Sequence, residues 1–158
     1  MEIKTLDEEG LDFLIKEEGV RLKPYLDSVG IPTIGVGSTY YESGKRVKMT
    51  DPPITHKRAM ELFANIVKPY EILVWSVTRD DINQNQFNAL VSLAFNIGQG
   101  GFKKSSVLKK VNSRFSEEEI RQSWLLWKFA GNKPILLKRR IREFSLYSAP
   151  IVKQLSNN

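Results

Sequence analysis

The chain has 158 residues, 41% of them hydrophobic, with 24 basic and 18 acidic side chains, one histidine and no cysteine. That length and apolar content suffice for a buried core, which excludes a disordered chain. Without cysteine there is no disulfide scaffold, thiol nucleophile or thiolate metal site. With His56 alone, a multi-histidine metal centre is excluded and a Ser-His-Asp triad is disfavoured. Carboxylate chemistry is what remains for catalysis, and neither a metal nor a cofactor is expected.

No stretch approaches the ~18 consecutive apolar residues of a membrane span. The first 18 residues are interrupted by Glu2, Lys4, Asp7, Glu8, Glu9, Asp12, Lys16, Glu17 and Glu18. A secretory signal needs an unbroken apolar stretch, so none is expected and the protein should stay where it is made until released. Charge is unevenly spread. Residues 1–100 hold 11 basic and 14 acidic groups, a net of −3, and residues 101–158 hold 13 and 4, a net of +9. A basic final third points to a polyanionic partner such as nucleic acid, anionic lipid or an acidic wall polymer, or else to a merely solvated face. The regular basic residues lack the aromatic platform of single-strand binders, so nucleic acid is not expected.

In chain order, Thr5 and Glu8 have the spacing of a capping box, which predicts a first helix running to Glu18 and stopping at Gly19. Between Leu22 and Val36, Pro24, Gly30, Pro32 and Gly35 punctuate β-prone runs, the pattern of a hairpin with Asp27-Ser28-Val29-Gly30 as its turn. Residues 38–54 read as a polar loop holding one further strand. Thr55 is a suitable N-cap for a long helix reaching Trp75, kinked at Pro69. Phe87, Leu90, Val91, Ala94 and Phe95 repeat at helical spacing, and Gly98, Gly100 and Gly101 should end that helix. Ser105 or Ser106 opens a short helix through Val111. Ser116 and Glu119 form a second capping box, leading to Trp124 and Trp127. Pro134 should open a last helix through Phe144. The expected fold is α+β and mostly helical. A small β-containing N-terminal lobe (about 1–54) precedes a connecting helix (about 55–77) and a helical C-terminal lobe (about 78–158), all in one domain spanning 1–158.

Glu18 is the most informative residue. Leu11, Leu14 and Ile15 precede it by seven, four and three positions, so all four share one helical face. A carboxyl group on an apolar stripe at the negative end of a helix should be desolvated and hold its proton, as a general acid must. The alternative is an ion pair with Arg139 or Arg140. Asp27 by itself is a turn former and Thr33 by itself is strand filler. Folded back by a hairpin, both could face the end of the first helix, as in the two-sided arrangement used in glycoside hydrolysis.

The run from Glu17 to Gly37 resembles the active-site signature of phage-type lysozymes, the endolysins of glycoside hydrolase family 24. Its pattern is E-G-x-R-L-x-x-Y-x-D-x-x-G-x-x-T-x-G-x-G. The resemblance continues through Gln86–Gly98, Phe102 with Ser105-Ser106, and Arg139–Glu143, covering about residues 8–147. It implies a lysozyme-like fold and a muramidase cleaving the β-1,4 bond between N-acetylmuramic acid and N-acetylglucosamine, with inversion. It also implies Glu18 as the acid, Asp27 and Thr33 as the pair orienting the attacking water, and Thr39, Phe95, Ser105 and Arg121 as substrate-binding positions. Phe95 is also well placed to be plain core, and core is the preferred reading. Ser38 departs from a histidine common in relatives, and Asn132 and Ile135 depart from glycines. The implied setting is a monomer held in the host cytoplasm until a holin-like factor releases it to peptidoglycan strands, with anionic wall polymers as further partners. A lytic transglycosylase would need the acid but not the water-orienting pair. A non-catalytic wall-binding module would explain the charge but not Glu18.

Overall fold

The computed structural model describes residues 2–152. Its elements are α1 (Glu8–Glu18), β1 (Arg21–Leu26), β2 (Pro32–Gly35), α2 (His56–Val77), α3 (Gln84–Ile97), α4 (Gln99–Lys104), α5 (Ser106–Asn112), α6 (Glu117–Leu125) and α7 (Leu137–Ser148). The class is α+β and mostly helical, as expected. Two compact units are formed, one from Glu8 to Pro69 and the other from the segment ending at Asp7 together with the chain from Tyr70 onward. No helix among the described residues is long and apolar enough to cross a membrane.

In the first unit, β1 and β2 pair antiparallel, Tyr25 opposite Thr33 and Arg21 opposite Gly35, with an irregularity between them. The turn is the one read from the sequence. Gly30 N–H donates to the Asp27 carbonyl at 3.0 Å, and Gly30 adopts φ +82°, a conformation costly for any residue with a Cβ. Ile34, Val47 and Leu62 form a small core flanked by Tyr41 and Ile54. Each such side chain fully removed from water stabilises the fold by about 1.5–3 kcal/mol. The Ile54 N–H donates to the Leu22 carbonyl at 2.8 Å and so ties the approach to α2 onto the hairpin. Thr55 caps α2 as expected, its Oγ1 accepting from Arg58 N–H at 3.1 Å. α2 continues through Pro69 to Val77.

The strand expected within 38–54 is absent. Only isolated bridges form there, Ile34 with Ser38 and Tyr40 with Arg46, because the Tyr41–Lys45 turn leaves too little chain for a ladder. The first helix also begins later than the Thr5 capping box predicts. Leu6 N–H donates to Glu71 Oε2 at 2.6 Å, and the Thr5 carbonyl accepts from Gln84 Nε2 at 3.0 Å. The second of these bonds takes up the Thr5 carbonyl, which would accept the first bond of an earlier helical turn.

The second unit centres on α3, buried continuously from Phe87 to Ala94. Such an all-round apolar helix belongs in the middle of a bundle. α3 starts at a capping box that the periodicity did not reveal, Asn83 with Gln86, and ends at Gly98. Gly100 and Gly101 do not merely terminate it, since both lie inside α4. Ser105 caps α5, and Ser116 with Glu119 forms the expected box at α6. Trp127 falls outside α6, in a 3-10 turn over Leu126–Lys128 where its own ψ is 35°. α7 begins at Leu137 rather than at Pro134. Residues 130–133 close a tight turn instead, and Leu136 N–H is committed to the Lys128 carbonyl at 2.9 Å.

Candidate active site

Glu18 is the last residue of α1, immediately before the turn into β1. Leu14 and Ile15 are buried, as the apolar stripe predicts. Glu18 itself is exposed, so the burial expected from that stripe is not found. The covered part of the helix ends one turn earlier, and Glu18 opens onto a cavity of about 320 Å³. Its other lining residues are Gly19, Val20, Arg21, Tyr25 and Gly35. Arg21 and Tyr25 belong to the signature, yet residue type alone assigned them no role. The Arg21 guanidinium lies over the Tyr25 ring at 4.5 Å, and their four-residue separation on β1 was the available signal.

Asp27 and Thr33 stand at the two sides of the hairpin turn. Asp27 Oδ1 accepts from Val29 N–H and Ile31 N–H, each at 2.9 Å. Two backbone donors therefore hold the carboxylate in one orientation, both on the same oxygen, which leaves Oδ2 as the oxygen able to take a proton. Thr33 is 2% exposed. Its hydroxyl donates to the Ile31 carbonyl at 2.9 Å, so the oxygen can serve a neighbour only as acceptor. Thr39 is half-buried, and its carbonyl accepts from Val47 N–H at 2.9 Å.

The remaining family positions lie in the helical unit. Phe95 is half-buried and packs edge-on against Tyr70 at 5.0 Å between ring centroids. Ser105 is buried with its hydroxyl fully employed. It donates to the Phe102 carbonyl at 2.7 Å and accepts from Leu108 N–H at 3.1 Å. Arg121 is exposed on α6 and reaches Glu118 at 3.4 Å.

A second charged assembly is buried in that unit. Glu143 is fully buried, with Arg140 at 0% and Arg139 at 7% exposure. Arg140 Nε meets Glu143 Oε1 at 2.7 Å, and Arg139 Nε meets Oε2 at 3.2 Å. Ser92 Oγ donates to Oε2 at 2.5 Å, and the Trp124 indole donates to Oε1 at 3.3 Å. Burial pushes the Glu143 carboxyl above the usual carboxylate range, against the pull of Arg140, Ser92, Arg139 and Trp124. Arg139 and Arg140, the two arginines named as alternative partners for Glu18, both contribute to this network. Among the described residues, no group of three histidine or carboxylate side chains gathers into a metal site.

Residues 15–143 match the sequence model of the phage lysozyme family. The chain is 44% identical over 139 residues to the endolysin of Salmonella phage P22, covering 87% of this chain and 94% of that one. A crystallised P22 lysozyme mutant superposes with a TM-score of 0.86 at 40% identity, over 93% of this chain and all of the other. The muramidase domain of SpmX from Asticaccaulis excentricus superposes with a TM-score of 0.77 at 28% identity, over 94% of this chain and all of that one.

Proposed function

We propose, from the premise that this chain belongs to the phage lysozyme family and is a lysozyme-type glycosidase, that it hydrolyses the β-1,4 bond between N-acetylmuramic acid and N-acetylglucosamine with inversion. The observation that carries the reading is the placement of Glu18 at the mouth of a cavity floored by the hairpin that also holds Asp27 and Thr33.

In this reading the Glu18 carboxylic acid donates its proton to the leaving glycosidic oxygen as the bond breaks. Water attacks the anomeric carbon from the opposite face. It donates one hydrogen bond to Thr33 Oγ1, whose own proton is occupied by the Ile31 carbonyl. Its other proton passes to Asp27 Oδ2, while Oδ1 stays anchored by two backbone N–H groups. Inversion requires room for that water, with the two carboxyl groups about 6.5–9.5 Å apart. Arg21 and Tyr25 form the wall beside Glu18. Thr39, Phe95 and Arg121 are proposed substrate contacts, while Ser105 contributes by capping α5.

The setting follows the same reading. The enzyme acts as a phage or prophage endolysin, a monomer that accumulates in the host cytoplasm and reaches peptidoglycan once a holin-like factor opens the membrane. Its basic final third concentrates it on anionic wall polymers, an attraction that weakens with salt.

Mass spectrometry of fragments released from purified peptidoglycan tests the reaction, with Glu18→Gln as the blank. Reducing N-acetylmuramic acid ends are expected, with turnover in the variant lower by at least ~10²-fold and its melting temperature near wild type. Anhydro ends would identify a transglycosylase and remove the water-handling roles of Asp27 and Thr33. No fragments from any wall type would leave a binding module.

A further inference from the structure

From Ile120 to Arg142 the chain contains no aspartate or glutamate and seven basic residues. Two of the seven, Arg139 and Arg140, are spent on buried Glu143. Lys128, Lys133 and Lys138 lie along the loop between α6 and α7 and at the start of α7. Interleaved with them are large apolar side chains that the fold leaves in water: Leu126 is 69% exposed, Phe129 53% and Ile135 68%. In an ordinary loop, residues of this size would be polar or covered.

Backbone bonds fold the middle of this segment, residues 128–136, back on itself. Ala130 N–H and Lys133 N–H each donate to the other residue's carbonyl, at 2.9 and 3.3 Å, and Leu136 N–H donates to the Lys128 carbonyl at 2.9 Å. Gly131, at φ +62°, makes the tight reversal affordable. The closure sets Lys128-Phe129 beside Ile135-Leu136, so Phe129 and Ile135 flank the same small hairpin. Lys128 Nζ sits 5.4 Å from the Phe129 ring centroid. The patch therefore presents hydrocarbon and positive charge together, without a carboxylate in its own sequence to neutralise it.

We infer that this loop is a docking surface for an anionic lipid bilayer, a binding activity separate from hydrolysis. A wall polymer or nucleic acid would satisfy the lysines but leave Leu126, Phe129 and Ile135 in water. An acidic lipid surface satisfies both, phosphates at the ammonium groups and acyl chains at the apolar tips. Side chains of this kind dip into the headgroup boundary without any spanning helix. Docking here would hold the enzyme at the membrane face that borders the wall.

The test is flotation of the full chain with vesicles of phosphatidylcholine alone or mixed with phosphatidylglycerol. The protein should float with the mixed vesicles only, and less as salt rises. Phe129→Ser with Ile135→Ser should weaken binding by about tenfold or more while the melting temperature holds. Leu126→Ser is an independent second variant should that pair disturb the turn. Lys128→Gln, Lys133→Gln and Lys138→Gln together should abolish the salt dependence. Ile72→Ser, an exposed apolar change on α2 outside the patch, should leave vesicle binding as it was. Wild-type failure to float would overturn the inference. Undiminished binding by both apolar variants would also overturn it, assigning the surface to charge alone. Concentration-dependent dimerisation that the apolar variants abolish, without flotation, would make a second copy the occupant and overturn it equally.

Discussion

Glu143→Ala tests the reading of the helical unit most severely. The substitution removes the acceptor for Ser92, Trp124, Arg139 and Arg140 at once and takes the Glu143 charge away from two buried guanidiniums. Each buried donor stripped of its partner costs about 1–3 kcal/mol. These donors share one carboxylate, so their costs do not add freely. Breaking a buried pair by removing one partner gives about 3–5 kcal/mol as the working figure. For a chain of this size, 1 kcal/mol moves the melting temperature by roughly 2–4 °C, so a fall of roughly 6–20 °C is expected. Calorimetry or urea unfolding monitored by circular dichroism measures it. Glu42→Ala is the contrast, because the Arg58–Glu42 pair is partly exposed at 38% and 35% and should be worth under about 1 kcal/mol. A loss below about 1 kcal/mol in Glu143→Ala, matching the surface control, would refute the claim that the buried network holds α7 to α3.

Other consequences follow from single side chains. Asp27→Ala should slow peptidoglycan cleavage by about 10²-fold or more with little change in melting temperature; cleavage at the wild-type rate would remove Asp27 as the base. Tyr41 donates to Asp51 Oδ2 at 2.7 Å, and burial first, then that bond, pushes its phenol from 10.0 up to about 12. A raised folded value means the stabilisation is complete below pH 10.0 and is lost as pH rises toward 12. The stability advantage of wild type over Tyr41→Phe should therefore shrink across that window in urea titrations, and a constant difference would be the contrary result. Ser38 is 1% exposed and its hydroxyl has no hydrogen-bond partner among the described residues. Ser38→Ala should leave thermal stability unchanged or raised by up to about 1 kcal/mol; a clear loss would reveal an unrecognised partner.

Much of this protein is written within a few residues of where it acts. The α3 periodicity, the Ser116–Glu119 box, the Thr55 and Ser105 caps and the Asp27–Gly30 turn all depend on contacts four residues apart or less. Such contacts are legible in a linear string because the spacing is the interaction. The signature from Glu17 to Gly37 is legible for the same reason, since it is confined to the end of α1, one turn and the hairpin.

Where partners lie far apart in sequence, spacing was silent. The late start of α1 depends on Leu6 with Glu71 and Thr5 with Gln84, separated by 65 and 79 residues. The late start of α7 depends on Leu136 claiming the Lys128 carbonyl. Glu18 lies on an apolar stripe in sequence, yet burial is set by what packs against a face, and in this unit the covering stops at Ile15. Glu143 shows the converse. A carboxylate among arginines on a helix reads as a solvated surface pair, but α3 and Trp124 close over it and convert it into a buried network. Helix and turn identity follow from local hydrogen-bond geometry. Which charges lose water follows from long-range packing, which no local spacing encodes.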